Sequence, residues 1–89
     1  MPEQEFTIPN PEGLHARPAA KFVKLANRFE SEIWVTKDDE EINGKSIMGL
    51  MILAAEHGSK ITVSAEGADA EEALKQLGAL IEGGFVAEP

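Results

Sequence analysis

At 89 residues with no cysteine, the chain has room for one small core and no disulfide, thiol nucleophile or thiolate metal site. Sixteen acidic against eight basic residues give a net charge of −8, which argues against nucleic acid as a partner, because binding it rests on neutralising phosphates with lysine and arginine. Met1 leads straight into Pro2, Glu3, Gln4 and Glu5, and no apolar run approaches the roughly 18 residues of a membrane span, so a cytoplasmic protein without membrane attachment is expected.

Glu5 to Ile8 alternates with Phe6 and Ile8 on one side, a short first strand that Pro9 ends. Pro11 and Gly13 then punctuate the chain before His15, and helix formers follow from Ala16 to about Phe29. Pro18 belongs to a first helical turn, where a missing N–H costs no intrahelical bond. At about 100° per residue, Ala19, Phe22, Val23, Ala26 and Phe29 share one face, and Arg17, Lys21, Lys24 and Arg28 line the opposite one. Half of the basic residues thus lie on one stripe beginning beside His15, an arrangement that suits steering toward an acidic partner surface and makes Lys21 and Lys24 candidate partner contacts.

A second strand is predicted over Glu32 to Lys37, with Ile33 and Val35 inward and Trp34 and Thr36 outward. A third around Glu40 to Asn43 pairs with it through an Asp38-Asp39 turn. Trp34 is expected on the open face of the sheet, over Thr36, Thr62 and Ser64. After the Asn43-Gly44 turn, Ser46 is placed to cap a helix from Ile47 to about His57, stopped by Gly58. Ile47, Leu50, Leu53 and Ala54 form one apolar face, and Met48, Met51, Ile52 and Ala55 another. A chain this small cannot readily bury both, so one is expected to serve docking. Gly44-Lys45-Ser46 imitates the end of a P-loop, but Asp39 stands where that loop needs its first glycine. His57, before Gly58, suits a structural place at a helix C-terminus.

Lys60 to Glu66 reads as the fourth strand, with Ile61, Val63 and Ala65 inward. Asp69 followed by Glu72 resembles a capping box opening a last helix, Ala70 to about Glu82, that Gly83-Gly84 ends. The order βαββαβα, with one apolar face per strand, predicts an α+β domain over 1–89. Its four-stranded antiparallel sheet is covered on one face by three helices, and a short flexible tail follows from about residue 83.

Chemistry concentrates at His15. Imidazole is nucleophilic at neutral pH. At the N-cap of a helix it faces free N–H groups and the positive dipole end, with Arg17 two residues on, a setting that stabilises an added phosphoryl group. The motif supplies no second acid or base and no metal ligands, so it suits holding a phosphoryl group better than hydrolysing one. No cofactor and no metal are expected.

Two segments, GLHARPAA at Gly13 to Ala20 and INGKSIMGLMILAA at Ile42 to Ala55, resemble the active-site signature and the regulatory serine segment of the histidine-containing phosphocarrier (HPr) family of the phosphoenolpyruvate-dependent sugar phosphotransferase system. The likeness extends from about Phe6 to Ile81. It implies an open-faced β-sandwich and a carrier that is a substrate of enzymes and not a catalyst. His15 would accept phosphate from Enzyme I on Nδ1 and pass it to enzyme IIA domains, with Arg17 on the phosphate. Ile47, Met48 and Met51 match the docking patch. Ser46 matches the serine that HPr kinase/phosphorylase modifies. Ala16 and the Ile-Met-Gly after Ser46 resemble the kinase-regulated kind. A monomer is expected. Two other outputs fit the same residues: a nitrogen-branch carrier, and a module whose phosphorylated Ser46 addresses a transcriptional regulator. The Pro11-Glu12 pair, Trp34 and the long tail depart from the family pattern.

Overall fold

The computed structural model describes residues 1–89. Four strands, β1 (Glu3–Thr7), β2 (Glu32–Lys37), β3 (Glu40–Asn43) and β4 (Lys60–Glu66), alternate with helices α1 (Ala16–Ala26), α2 (Ile47–Leu53) and α3 (Ala70–Glu82). The sheet is open and antiparallel, in the order β1-β4-β2-β3. Phe6, Ile33, Val35, Ile61, Val63 and Ala65 form its covered face and meet Phe22, Leu50, Leu77 and Ile81 of the helices in one buried cluster. The period-2 and period-3.6 apolar patterns therefore converge on a single core. On the open face Trp34 lies opposite both Ser64 and Asn43. It is half-buried, and Ser64 beside it is buried although the alternation turns it outward, away from the helices.

Three boundaries and one helix cap differ from what the sequence suggests. β1 begins at Glu3, because β4 supplies partners as far as Glu3↔Ser64 whether or not the side chains alternate. Ile8 lies past the strand and is fully buried. α1 stops at Ala26. Asn27 caps it, and the N–H groups of Arg28 and Phe29 bond three residues back, to Leu25 and Ala26, tightening the last turn and taking Arg28 off the helix. α2 ends at Leu53, where Ala54 turns left-handed at φ 52°, one turn before the expected stop at Gly58. That turn sends Ala55 into the core and leaves His57 outside any helix.

The fourth difference is at α3. No capping box forms: Asp69 makes no side-chain bond to its own helix. Its carboxylate instead accepts from Ser31 Oγ at 2.5 Å, Glu30 N at 2.9 Å and Ser31 N at 3.0 Å, tying the α3 entrance to the α1–β2 loop. These donors, the Ser31 hydroxyl foremost, hold the Asp69 carboxyl below its ordinary range. Within α3, Gly78 is required by packing, since a Cβ there would stand 2.8 Å from the Phe6 ring. The tail is anchored where flexibility is expected: Phe85 is buried in the core.

Candidate functional site

The segment before α1 is built as a tight turn. Gly13 N donates to Asn10 O at 3.1 Å, and the Asn10 amide reaches forward to Gly13 O at 2.7 Å. Gly13 has φ 74°, and a Cβ on it would lie 2.7 Å from the Ala55 carbonyl oxygen, so only glycine fits. The next N–H, of Leu14, donates to that same carbonyl at 2.7 Å. Leu14 is itself buried, which anchors the loop on both sides of its backbone.

His15 follows as the N-cap of α1, in extended conformation (φ −98°, ψ −162°), with no side-chain bond to the helix. Its carbonyl accepts the first helical bond, from Ala19 N at 2.9 Å, so the backbone is fixed while the exposed imidazole stays uncommitted. Pro18 brings no N–H, which leaves the amides of Ala16 and Arg17 as the donors at this helix end. An electron pair on an exposed imidazole beside a positive helix end can attack phosphorus and have the resulting charge stabilised. The dipole contributes about 0.3–2 kcal/mol.

His15 lines a shallow cleft of about 260 Å³ together with Glu12, Leu14, Met51, Ala54, Ala55 and Glu56. The left-handed turn at Ala54 creates this juxtaposition by folding the end of α2 against the loop. Glu12 and Glu56 put two carboxylates in a cleft for which the motif suggests no second acid or base. Glu12 is held below the usual carboxylate range by its own backbone N–H first, then by the Asn10 amide, with smaller contributions from His15 and Arg17. An ionised carboxylate donates no proton and repels a phosphoryl group. Glu56 was not legible because the sequence pattern places it inside a helix that in fact has already ended.

The other expected residues are distributed around this cleft. Arg17 does not line it; it borders a neighbouring groove with Ala20, Lys21, Lys24 and Glu88. Ser46 caps α2 as expected, its Oγ accepting from Gly49 N at 3.0 Å. Leu50, Leu53 and Ala55 are buried, whereas Ile47 (41 % exposed), Met48 (73 %), Met51 (46 %) and Ile52 (66 %) form an open apolar patch. Of the two predicted faces, each contributes to both sides: Ile47 is open and Ala55 closed. His15 and the patch meet through Met51.

Residues 2–83 match the family model described as the PTS HPr component phosphorylation site. The phosphocarrier protein HPr of Neisseria meningitidis serogroup B is 52% identical over 85 residues, 96% of each chain. The HPr-like protein Crh of Bacillus subtilis is 46% identical over 82 residues, 92% of this chain and 96% of its own. The crystal structure of HPr-C-His from Thermoanaerobacter tengcongensis superposes with a TM-score of 0.94 at 52% identity, covering 100% of both chains. A dimer of HPr from the same organism matches at 0.78, covering 98% of this chain and 100% of its own, so a monomer is not a rule among these relatives. With this fold, this loop and an uncommitted histidine at the head of α1, the chain belongs to the HPr family of phosphocarriers of the phosphotransferase system.

Proposed function

We propose that His15 is the carrying residue: Nδ1 takes a phosphoryl group from phosphorylated Enzyme I and yields it to enzyme IIA domains. The observation that carries this reading is the exposed imidazole whose backbone is locked at the α1 N-cap and whose side chain bonds nothing in the helix. In the accepting step the nitrogen lone pair forms the N–P bond as the bond from phosphorus to the donor atom breaks, and the donor atom leaves with that electron pair. Passing the group on reverses the roles. Arg17 and the amides at the head of α1 counter the phosphoryl charge, while ionised Glu12 opposes it and keeps the phosphoramidate ready to leave.

The exposed Ile47, Met48 and Met51 offer flexible apolar contact to both partners, with Lys21 and Lys24 on the basic side of α1. Ser46 is the regulatory position, modified by HPr kinase/phosphorylase. Phosphate there adds charge beside Met48 and Met51 and weakens docking. The protein is cytoplasmic in this reading; no helix is long and apolar enough to cross a membrane. A purely regulatory output through phospho-Ser46 and a transcriptional regulator is the second reading, favoured by the identity to Crh of Bacillus subtilis, called Catabolite Repression HPr in its solution structure.

Incubation with phosphoenolpyruvate and Enzyme I separates the two. The expected product is one acid-labile phosphate per chain, absent in His15→Ala. Label retained in His15→Ala, or acid-stable label on Ser46 alone, contradicts the carrier reading.

A further inference from the structure

The segment after α3 returns across the molecule. Gly84 and Phe85 both have left-handed backbones, φ 74° and 61°. That conformation is costly for a bulky residue. Phe85 offsets it by burying its ring to 4 % exposure and donating its N–H to Leu80 O at 2.9 Å.

The chain beyond Phe85 is gripped by one side chain of α1. Lys21 Nζ donates to the carbonyls of Phe85 at 2.9 Å and Val86 at 3.2 Å, and pairs with Glu88 Oε1 at 3.1 Å. An ammonium has three donors, and all three go to the tail. The Lys21 side chain is 17 % exposed, the Glu88 side chain 75 %, so the lysine is committed while the carboxylate remains within reach of solvent and partners. Glu88 forms one wall of a groove whose other walls are Arg17, Ala20, Lys21 and Lys24. In a chain of net charge −8 this groove gathers three cations, and the acid among them is the chain's own.

We propose that Glu88, held by Lys21, is a resident competitor in the groove of Arg17, Lys21 and Lys24, displaced when an acidic side chain of the phosphotransfer partner docks on this basic face. The partner's identity rests on the carrier reading; the groove and its occupant do not. Charge complementarity fits a carboxylate there. Phe85, anchored only three residues away, keeps Glu88 at high effective concentration, so the tail competes without binding tightly. Lys21 can keep both carbonyl bonds while Glu88 swings out, which makes displacement a side-chain event. Exposed ion pairs of this kind shift equilibria by about two- to five-fold.

The test uses the full chain and its Glu88→Gln variant, with Glu71→Gln as a control of equal charge change outside the groove. Hexaglutamate peptide is titrated at low salt and followed by amide chemical shifts. Glu88→Gln is expected to bind it about two- to five-fold more tightly than wild type or Glu71→Gln, with shifts centred on Arg17, Lys21 and Lys24. Equal affinity in all three proteins, or shifts centred elsewhere, overturns the proposal. With Enzyme I as donor, Glu88→Gln is expected to lower KM by a similar factor at unchanged kcat; an unchanged KM overturns the competition. Lys21→Met is expected to move the Val86, Ala87 and Glu88 amides toward unstructured shifts, and unmoved amides overturn the clamp. If wild type takes no phosphate from Enzyme I, the carrier reading fails and the peptide titration still decides the groove.

Discussion

At His15 the backbone is specified and the side chain is left free, and the neighbours divide that labour. Gly13 and Leu14 hold the loop through the Ala55 carbonyl. Replacing Gly13 by Ala forces a Cβ into a left-handed position and against that oxygen. The expected cost is about 1–3 kcal/mol in denaturant unfolding, with slower phosphoryl acceptance because His15 shifts with its anchor. Arg17 is exposed and contributes nothing to the core. Arg17→Ala is therefore expected to leave the thermal midpoint unchanged and to slow transfer about ten- to hundredfold, the worth of a charge-assisted contact of about 1.5–3 kcal/mol. A lowered midpoint would show Arg17 to be structural. Both residues were legible in sequence, since the turn chemistry and the helix start are local. Glu56 was not, because its arrival at the cleft depends on where α2 stops.

Among the elements, α2 shows most clearly what local pattern can and cannot convey. Its N-terminus follows from Ser46, whose hydroxyl caps Gly49 N. Its C-terminus follows from the needs of Leu14 and Ala55 and not from Gly58, so tertiary contact overrides the obvious stop signal. The amphipathic split is testable on two residues two apart. Leu50, fully buried, is expected to cost about 2–5 kcal/mol on replacement by Ala. Met48, 73 % exposed, is expected to change stability negligibly and to weaken partner binding. Equal effects on stability would contradict the assignment of faces.

Asp69 makes the corresponding point for α3. Its carboxyl is depressed by Ser31 and Glu30, so it stabilises the fold above its unfolded range and the contribution is lost as pH falls through the lower folded value. Thermal midpoints measured from about pH 5 down to pH 2 should fall less steeply in Asp69→Asn than in wild type, beginning near the ordinary aspartate value of about 3.9. Identical slopes would show that the Ser31 bonds carry no linkage. The capping-box pattern pointed to the right residue and the wrong partner, because Asp69 has a choice between its own helix and a loop 38 residues away that sequence spacing does not display.

For the molecule as a whole, the number of strands, their inward residues and the one-sided helix layer were legible from periodicity, and the β2–β3 hairpin from its short turn. The placement of β4 between β1 and β2 is non-local and enters through pairing. The contacts of the tail were not legible for the same reason: nothing near Phe85 in sequence announces the core position it fills or the lysine 64 residues earlier that holds its carbonyl. The small scaffold presents an exposed histidine, an apolar patch and a cationic groove on its surface, features that the carrier reading puts to use in exchange with partners. The most direct test isolates the chain phosphorylated by Enzyme I and mixes it with an enzyme IIA domain. The account predicts that the phosphate leaves His15 and appears on the IIA domain faster than it appears as inorganic phosphate; release as inorganic phosphate with no labelled IIA domain would contradict it.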